Sequence, residues 1–424
     1  MRKVLYLGYV WPEPNSSAAG ARTLEFLHTF QTQGWQILFA SAAALSPHRF
    51  PLTSIGIEEQ SIALNDDAFD QLLQQFKPDI VVFDRFFTEE QFGWRVEKHC
   101  PHALRILDTC DLHSLREARH ALLKAQQGSN GNTNWHPPLL ADVIQTMRSS
   151  EMAMREIAAI FRCDVSLMIS DVEMHILQDY FGIPAAILQL NRLMLTPQAQ
   201  IQSERPQFEQ REAFISIGNF RHAPNWDAVL WLKQAVWPAI RQRLPQAQLK
   251  VYGSYPPPKA MQLHQAREGF QVLGWAEDAQ AVMSSARVCL APLRFGAGLK
   301  GKLADAMAAG TPSVTTEIGA EGMDAGLPWG GAVENGVDAF AHHAVALYQN
   351  PQLWQQAQAR GDQILQQLFN RRADQDSLLQ KIEVCLGQLA QHRAQNFTGA
   401  MLRHHSMKST QYMSQWIALK NKSV

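Results

Sequence analysis

The sequence has few cysteines, and they follow no pattern. Its 5 cysteines are scattered without a CxxC pair, at Cys100, Cys110, Cys163, Cys289 and Cys385. Closely spaced cysteine pairs are typical of disulfide frameworks and of structural zinc sites, and the sequence favours neither. We therefore expect reduced thiols, no bound metal and a cytoplasmic location.

The sequence also lacks an excess of charge of one sign and any long hydrophobic run. Lys and Arg total 38, Asp and Glu total 39, and the formal net charge is −1. This balance does not indicate nucleic-acid binding. No run approaches the roughly 18 consecutive apolar residues that would span a bilayer. The first apolar run stops at Trp11-Pro12, which predicts a β-strand and not a signal peptide.

Residues 391–424 contain no Asp or Glu. Their cationic side chains are Arg393, Arg403, Lys408, Lys420 and Lys422. Three interpretations stay open: this tail packs across the domains, it contacts an anionic partner, or it is disordered. The second interpretation includes peripheral contact with the inner face of a membrane.

The rest of the chain alternates short apolar runs with helical patterns in two halves. A length of 424 residues suits two domains, and continuous apolar strands between helices predict parallel sheets covered on both faces. We predict an α/β fold with a first domain at 1–200, a second domain at 201–395 and a basic tail at 396–424. The polar segment 195–212 is the predicted linker, and 126–138 is a predicted mobile surface loop. Predicted strands cover 3–8, 36–41, 79–84, 104–108, 164–169 and 185–190, then 213–217, 247–252, 270–273, 287–291 and 312–316.

The segment 292–314, "PLRFGAGLKGKLADAMAAGTPSV", has the features of an anion site. Three glycines lie between Gly296 and Gly301, just before a predicted helix. The first N–H groups of a helix are unpaired and carry its positive dipole end, which attracts anions. Glycines permit close backbone approach, and Lys300 and Lys302 add positive charge.

Four interpretations of this segment compete. The glycines could serve only a tight turn between strand and helix. A P-loop matches from Gly296 to Lys302, but Leu303 stands where Ser or Thr would bind Mg²⁺. A dinucleotide fingerprint matches the GxGxxG pattern but does not follow the first strand. The fourth is the diphosphate site of a sugar-nucleotide enzyme, where fixed donors stabilise the departing phosphate without a metal.

Several segments of the second half resemble glycosyltransferases of the GT-B fold, closest to the large retaining family 4. They are "SIGNFRHAPNWDAVLWL" (216–232), "LPQAQLKVYGS" (244–254) and the long stretch 274–323, in the order that the family has. The resemblance is strong over 210–390, and over 1–195 it extends only to the strand and helix pattern. It implies two Rossmann-like domains facing a cleft, with the nucleotide sugar in the second and the acceptor in the first.

The resemblance assigns roles to residues of the second domain. A basic residue that contacts the donor diphosphate corresponds to Arg221. Two glutamates eight positions apart correspond to Ala297 and Asp305. Asp305 keeps a carboxylate for the ribose hydroxyls, whereas Ala297 has none. The backbone amides of Gly296, Ala297 and Gly298 would then face the sugar or the phosphate.

Further candidates follow from the same comparison. Lys300 or Lys302 would replace the charge of a family lysine that this sequence lacks. Glu321 is a second candidate for donor contact, against a plain loop residue. His113 is a candidate acceptor or sugar contact, against a locally bonded histidine at a helix start. Gly20 would open a helix toward the phosphate.

The resemblance implies transfer of a sugar from a nucleotide diphosphate sugar to an acceptor, with retention at the anomeric carbon. We expect no metal and no cofactor other than this co-substrate. The acceptor could be a glycan, a lipid, a protein or a metabolite. Two alternatives stay open: a nucleotide-sugar epimerase of the same fold, and a non-catalytic nucleotide-sugar-binding protein, which the absence of a carboxylate at Ala297 motivates.

Overall fold

Two parallel β-sheets organise the chain, one in each half. The computed structural model describes residues 1–127, 135–195, 205–324 and 326–422. The first sheet has seven strands in the order β3-β2-β1-β4-β5-β6-β7, and the second has six in the order β10-β9-β8-β11-β12-β13. The strands of the first sheet are β1 Lys3–Gly8, β2 Gln36–Ser41, β3 Glu58–Ser61, β4 Ile80–Asp84, β5 Leu104–Asp108, β6 Val165–Met168 and β7 Leu188–Leu190. Those of the second are β8 Phe214–Ile217, β9 Leu249–Tyr252, β10 Phe270–Gly274, β11 Val288–Ala291, β12 Ser313–Thr315 and β13 Gly331–Val333.

Helices cover both faces of each sheet. In the first half they are α1 Ala18–Thr32, α2 Ala68–Phe76, α3 Phe86–His99, α4 His113–Gln127, α5 Leu140–Arg148, α6 Glu151–Arg162 and α7 Asp171–Phe181. In the second half they are α8 Ala223–Trp231, α9 Trp237–Arg243, α10 Pro258–Met261, α11 Ala279–Ser285, α12 Gly301–Ala308, α13 Glu317–Ala320, α14 Val337–Gln349 and α15 Pro351–Leu368. Three more helices end the chain: α16 Arg371–Gly387, α17 Leu389–Ala394 and α18 Phe397–Lys422. None of the described helices is long and apolar enough to cross a membrane.

Alternate side chains of the central strands pack into two hydrophobic clusters, one on each face of the sheet, as a sheet covered on both faces requires. Leu5 and Leu7 of β1 belong to one hydrophobic cluster, and Val4 and Tyr6 belong to the other. The strand order reverses between β1 and β4 in the first sheet and between β8 and β11 in the second. Ligands of such sheets bind beyond the carboxyl ends of the strands, at this reversal. The predicted α/β architecture of two Rossmann-like domains is confirmed.

The last helices of the chain return to the first domain. Leu378, Ile382 and Cys385 of α16 are buried in the same cluster as Val4 and Tyr6. The predicted range of the second domain, 201–395, includes α16 and α17, which in the structure belong with the first sheet. The predicted boundary at residue 200 and most of the predicted linker lie outside the described residues, as do 128–134 of the predicted surface loop.

The basic tail forms α18, which packs against α3 and α6 of the first domain. Asn396 Nδ2 donates to the Phe161 carbonyl at 2.7 Å, and Arg403 Nη1 donates to the Arg162 carbonyl at 3.0 Å. A Cβ on Gly399 would lie 2.1 Å from the Phe161 oxygen, so the two helices approach closely here. The described part of the tail therefore packs on the first domain, which differs from the packing across both domains in the first of the three interpretations.

We predict that α16 stabilises the first domain. Ile382 is fully buried, whereas Val384 of the same helix is 49% exposed. Ile382→Ala should lower the free energy of unfolding by about 3 kcal/mol through lost burial and a residual cavity, measured by urea denaturation. The matched variant Val384→Ala should change it by less than about 0.5 kcal/mol. Equal stability of the two variants would contradict the packing of α16.

Candidate active site in the interdomain cleft

The loops at the carboxyl ends of both sheets meet in a cleft. Ser16, which follows β1, lies with its hydroxyl 2.7 Å from the Ser254 hydroxyl, which follows β9. Asn219 Nδ2 donates to the same Ser16 oxygen at 3.3 Å. The Tyr255 hydroxyl donates to Glu13 Oε1 at 2.7 Å. The first and second domains are thus joined by polar contacts at the edges where parallel sheets bind ligands.

Two helices begin at this cleft, one from each domain. A Cβ placed on Gly301, the first residue of α12, would lie 2.5 Å from Cβ of Ala18, the first residue of α1. Ser17 caps α1 and accepts the Gly20 N–H at 3.1 Å, so this amide of Gly20 is already paired. Lys300, the residue before α12, makes no side-chain cap. The positive ends of two helix dipoles therefore converge, which suits an anion.

The loop 292–300, which we call the anion loop, presses against the first domain. Gly298 has a φ of +62°, and a Cβ there would lie 2.9 Å from Cβ of Asp111. Both the left-handed backbone and the close approach require glycine. Ala297 packs against the hydrophobic cluster of the first domain. Hence two of the predicted donor contacts, Ala297 and Gly298, lie at the interface between the domains.

A buried carboxylate from the first domain holds the anion loop. Glu173 of α7 is fully buried, and its Oε1 accepts the Gly298 N–H at 2.7 Å and the Leu112 N–H at 3.0 Å. Its Oε2 has no hydrogen-bond partner among the residues that the structure describes. Burial, with the charge of Asp111, raises the pKa of Glu173 to about 8, although both N–H donors and Lys300 oppose this shift. Glu173 therefore ties the two domains together through main-chain donors.

A second link between the domains is an arginine–carboxylate pair. Arg119 of α4 donates from Nη1 to Glu321 Oε1 at 2.9 Å and from Nη2 to Glu321 Oε2 at 2.6 Å. Nη1 also donates to the Gly296 carbonyl at 2.9 Å. Burial disfavours the charged form of Glu321, but Arg119 outweighs it and holds the pKa of that carboxyl below its usual value. The predicted donor contacts Gly296 and Glu321 are thus both engaged by Arg119.

The two lysines of the segment are held in place by the protein. Lys300 is 8% exposed, and its Nζ donates to the Gly298 carbonyl at 2.7 Å. Lys302 Nζ donates to Asn225 Oδ1 at 2.7 Å. Burial lowers the pKa of each lysine to about 8, although neighbouring acidic groups, Glu321 for Lys300, favour the charged form. Because neutral pH lies below this pKa, most of each lysine is protonated and carries positive charge at the cleft.

Arg221 and Asp305 are exposed. The Arg221 guanidinium lies 3.6 Å from the centre of the Tyr255 ring, a cation–π contact in the loops after β8 and β9. Asp305 lies on α12 three residues after Lys302. The structure thus brings Arg221, Lys302 and Asp305 to the side of the second domain on which α12 begins, and the assignment of these residues to the donor stays a prediction.

On the first-domain side of the cleft, His113 begins α4 in an aromatic environment. Its ring lies edge-on to Phe86 and Phe87, with centroids 5.7 and 5.3 Å away. Its Nε2 lies 3.4 Å from Asp111 Oδ1. Burial lowers the pKa of His113 to about 4, against the opposing charge of Asp111. The imidazole is therefore neutral at pH 7 and could accept or donate a hydrogen bond.

The start of α4 is capped by a carboxylate of the protein itself. Glu156 of α6 accepts the His113 N–H at 2.8 Å and the Ser114 N–H at 2.9 Å, and the Ser114 hydroxyl donates to it at 2.6 Å. Burial raises the pKa of Glu156 to about 7. The N-terminus of α4 is therefore occupied, unlike that of α12.

One group of metal-ligand side chains occurs among the described residues, formed by Asp84, Asp108 and Cys110 at the carboxyl ends of β4 and β5. Arg22 Nε donates to Asp108 Oδ1 at 2.9 Å, and Arg85 Nε lies 3.8 Å from Asp84 Oδ1. Both carboxylates thus have guanidinium partners. A divalent cation would have to compete with these charges, so the residues present do not favour a resident metal.

Sequence reasoning did not identify Glu173, Arg119 or Asn225 as parts of this site. Arg119 follows His113 in the segment predicted to face the cleft, and Asn225 lies in the segment 216–232 that resembles glycosyltransferases. Their position in these segments could have identified them as candidates. Glu173 lies in "DVEMHILQDYF", an ordinary amphipathic helix pattern, and carries no such signal.

The comparisons with known proteins agree with this architecture. The family described as "Glycosyl transferases group 1" matches residues 211–350. No curated protein gives a significant sequence match. The family match covers the second sheet and the anion loop, and it confirms the predicted resemblance to glycosyltransferases.

Several solved structures have the same fold. Sucrose-phosphate synthase from Thermosynechococcus elongatus is 14% identical, with a TM-score of 0.63 over 91% of this chain and 100% of that chain. Anabaena HepE in complex with UDP-glucose is 12% identical, with a TM-score of 0.64 over 91% of this chain and 100% of that chain. A glycosyltransferase from Rickettsia africae is 12% identical, with a TM-score of 0.61 over 91% and 99% of the two chains.

The chain therefore has the GT-B fold. Residues 211–350 match the glycosyl transferases group 1 family, and the prediction of a glycosyltransferase is confirmed. Membership of family 4 in particular stays a prediction.

We predict that Glu173 stabilises the folded protein through its contacts with both domains. Glu173→Ala leaves the Leu112 and Gly298 N–H groups without their acceptor, which should lower the free energy of unfolding by about 2 kcal/mol. Asp179→Ala removes an exposed carboxylate from the same helix and is the matched control. Urea denaturation measures both. Equal stability of the two variants would exclude a structural contribution from Glu173.

Proposed function

We propose that the protein transfers a sugar from a nucleotide diphosphate sugar to an acceptor held by the first domain, with retention and without a metal. The observation that carries this proposal is the convergence of the α1 and α12 N-termini in a cleft of a GT-B fold, beside Lys300 and Lys302. The existence of a UDP-glucose complex of Anabaena HepE, which has the same fold, supports a nucleotide sugar as the ligand class.

In this proposal the second domain stabilises the leaving diphosphate. Negative charge grows on the departing phosphate as the bond to the anomeric carbon breaks. The uncapped start of α12 and the Lys300 and Lys302 ammonium groups are fixed before the reaction begins, so they need little reorganisation to meet that charge. The exposed guanidinium of Arg221 can pair with two phosphate oxygens at once.

The remaining roles follow from position. Asp305 accepts the ribose hydroxyls from the exposed side of α12. The backbone amides of Gly296 and Ala297 face the phosphate or the sugar, whereas the Gly298 amide, predicted to do the same, donates to Glu173 and fixes the loop. Neutral His113 contacts the sugar or the acceptor from the first domain. The acceptor is a glycan, a lipid, a protein or a metabolite, and the C-terminal tail makes peripheral contact with a membrane.

Two other functions stay open on the same fold. An epimerase would act on the nucleotide sugar itself and needs acid–base groups that face the sugar. A non-catalytic binder would hold the nucleotide sugar without turnover, and the absence of a carboxylate at Ala297 favours it. The epimerase and the binder would use the same donor site as the transferase. The epimerase would form an isomerised nucleotide sugar, and the binder would form no product.

Nucleoside diphosphates should stabilise the protein. A thermal-shift screen across nucleoside diphosphates and nucleotide sugars should raise the melting temperature with at least one base, because a ligand that binds only the folded state stabilises it. Lys302→Ala and Arg221→Ala should reduce this shift. Arg267→Ala is the control, because this exposed arginine precedes β10 and so lies at the amino end of the strand, away from the carboxyl ends that form the site. No shift with any of these ligands would refute the donor site.

Turnover should separate the three functions. Incubation with the stabilising nucleotide sugar should release the nucleoside diphosphate in the presence of EDTA, and NMR should find the released or transferred sugar with the donor's anomeric configuration. Release that requires Mg²⁺, or an inverted product, would contradict the metal-independent, retaining mechanism. An isomerised nucleotide sugar would indicate the epimerase, and tight binding without turnover would indicate the binder.

A further inference from the structure

The outward face of α18 is apolar and aromatic, although α18 lies on the surface. Six large hydrophobic side chains of this helix are exposed among the described residues: Phe397, Met401, Tyr412, Met413, Trp416 and Leu419. Trp416 is 59% exposed and Leu419 is 65% exposed. Large aromatic and aliphatic side chains concentrated on one exposed element mark an interaction surface.

These side chains lie opposite the face by which α18 packs on the first domain. At about 100° per residue, Tyr412, Trp416 and Leu419 fall on one side of the helix. Ser414 and Ala418, which are buried, fall on the other. The hydroxyl of Ser414 accepts a hydrogen bond from Arg95 of α3 at 3.4 Å, which fixes that inner face.

The charge of the same helix selects the partner. The helix Phe397–Lys422 contains four Lys and Arg and no Asp or Glu, and of these Arg403 faces the first domain, whereas the whole chain has a net charge of −1. Lys408 and Lys420 are exposed, and Lys420 Nζ lies 4.6 Å from the Trp416 ring centre. Exposed Trp, Tyr, Met and Leu side chains next to lysines suit the interface of an anionic bilayer, where apolar rings insert and ammonium groups meet the phosphates.

We infer that the outward face of α18 docks the protein on the surface of an anionic lipid bilayer, with Tyr412, Trp416 and Leu419 inserted at headgroup depth and Lys408 and Lys420 facing the lipid phosphates. This inference rests on the proposed membrane contact of the tail. It adds which face of α18 makes the contact and that the lipids are anionic. The helix lies along the membrane and does not span it, in agreement with its hydropathy.

Vesicle co-sedimentation of the full-length protein tests the inference. Vesicles of phosphatidylcholine with phosphatidylglycerol should bind the protein, and vesicles of phosphatidylcholine alone should bind it more weakly. The triple variant Tyr412→Ala, Trp416→Ala, Leu419→Ala should lower the partition coefficient about tenfold or more through lost apolar burial. The double variant Lys408→Glu, Lys420→Glu should lower it by a similar factor at low salt and by less at high salt.

A matched control removes exposed apolar side chains elsewhere. The triple variant Leu45→Ala, Leu64→Ala, Tyr180→Ala changes three exposed residues outside α18 and should bind vesicles as the unaltered protein does. The absence of binding to either kind of vesicle would overturn the inference, as would equal binding by the α18 variants. A lipid-free dimer that the α18 triple variant converts to monomer, without vesicle binding, would assign the face to self-association instead.

The donor site is tested separately on the same samples. The nucleotide-induced thermal shift should be unchanged in the α18 variants, because none of the altered residues belongs to the cleft. Failure of vesicle binding with a retained thermal shift would overturn only the membrane inference.

Discussion

The structure of the site depends on one buried carboxylate, that of Glu173. Its Oε1 accepts main-chain N–H groups from Leu112 in the first domain and from Gly298 in the second. This contact holds the anion loop in a conformation that only glycine adopts readily at position 298. The loop in turn sets where α12 begins, and the start of α12 meets the start of α1. A single acceptor thus links the relative position of the domains to the geometry of the anion site.

The electrostatics of the cleft follow from this arrangement. The protein gathers Lys300, Lys302 and Arg119 around the anion loop and offsets them with the Glu321 carboxylate and backbone carbonyl groups, whereas Glu173, whose pKa burial raises to about 8, contributes as a hydrogen-bond acceptor. Burial lowers the pKa of each lysine because it removes water from the ammonium group. A bound diphosphate would raise the pKa again, since a nearby negative charge favours the protonated lysine. In the proposed function, these fixed positive groups meet the negative charge that develops on the departing diphosphate.

Much of this architecture could be predicted from the sequence, and the exceptions have physical reasons. The predicted strands 3–8, 36–41 and 104–108 coincide with β1, β2 and β5 because buried parallel strands are continuously apolar. The edge strand β3, "EEQS", was missed because it is polar and exposed. The anion loop was recognisable from its glycines and lysines, whereas Glu173 lies 125 residues away from the amide that it binds. Likewise, composition identified the basic tail, but only the packing of α18 on α3 and α6 decides which of its faces is exposed.

In the proposed function, the diphosphate of a sugar nucleotide binds where α1 and α12 begin. A crystal structure of the complex with the nucleoside diphosphate that stabilises the protein most tests this directly. We expect the diphosphate to lie beside these two helix N-termini, which touch each other at Gly301 and Ala18, with its oxygens within hydrogen-bond distance of the first amides of α12 and of Lys302. A diphosphate bound away from α12, for example beside Arg22 and Arg85 at the carboxyl ends of the first sheet's strands, would refute this binding site.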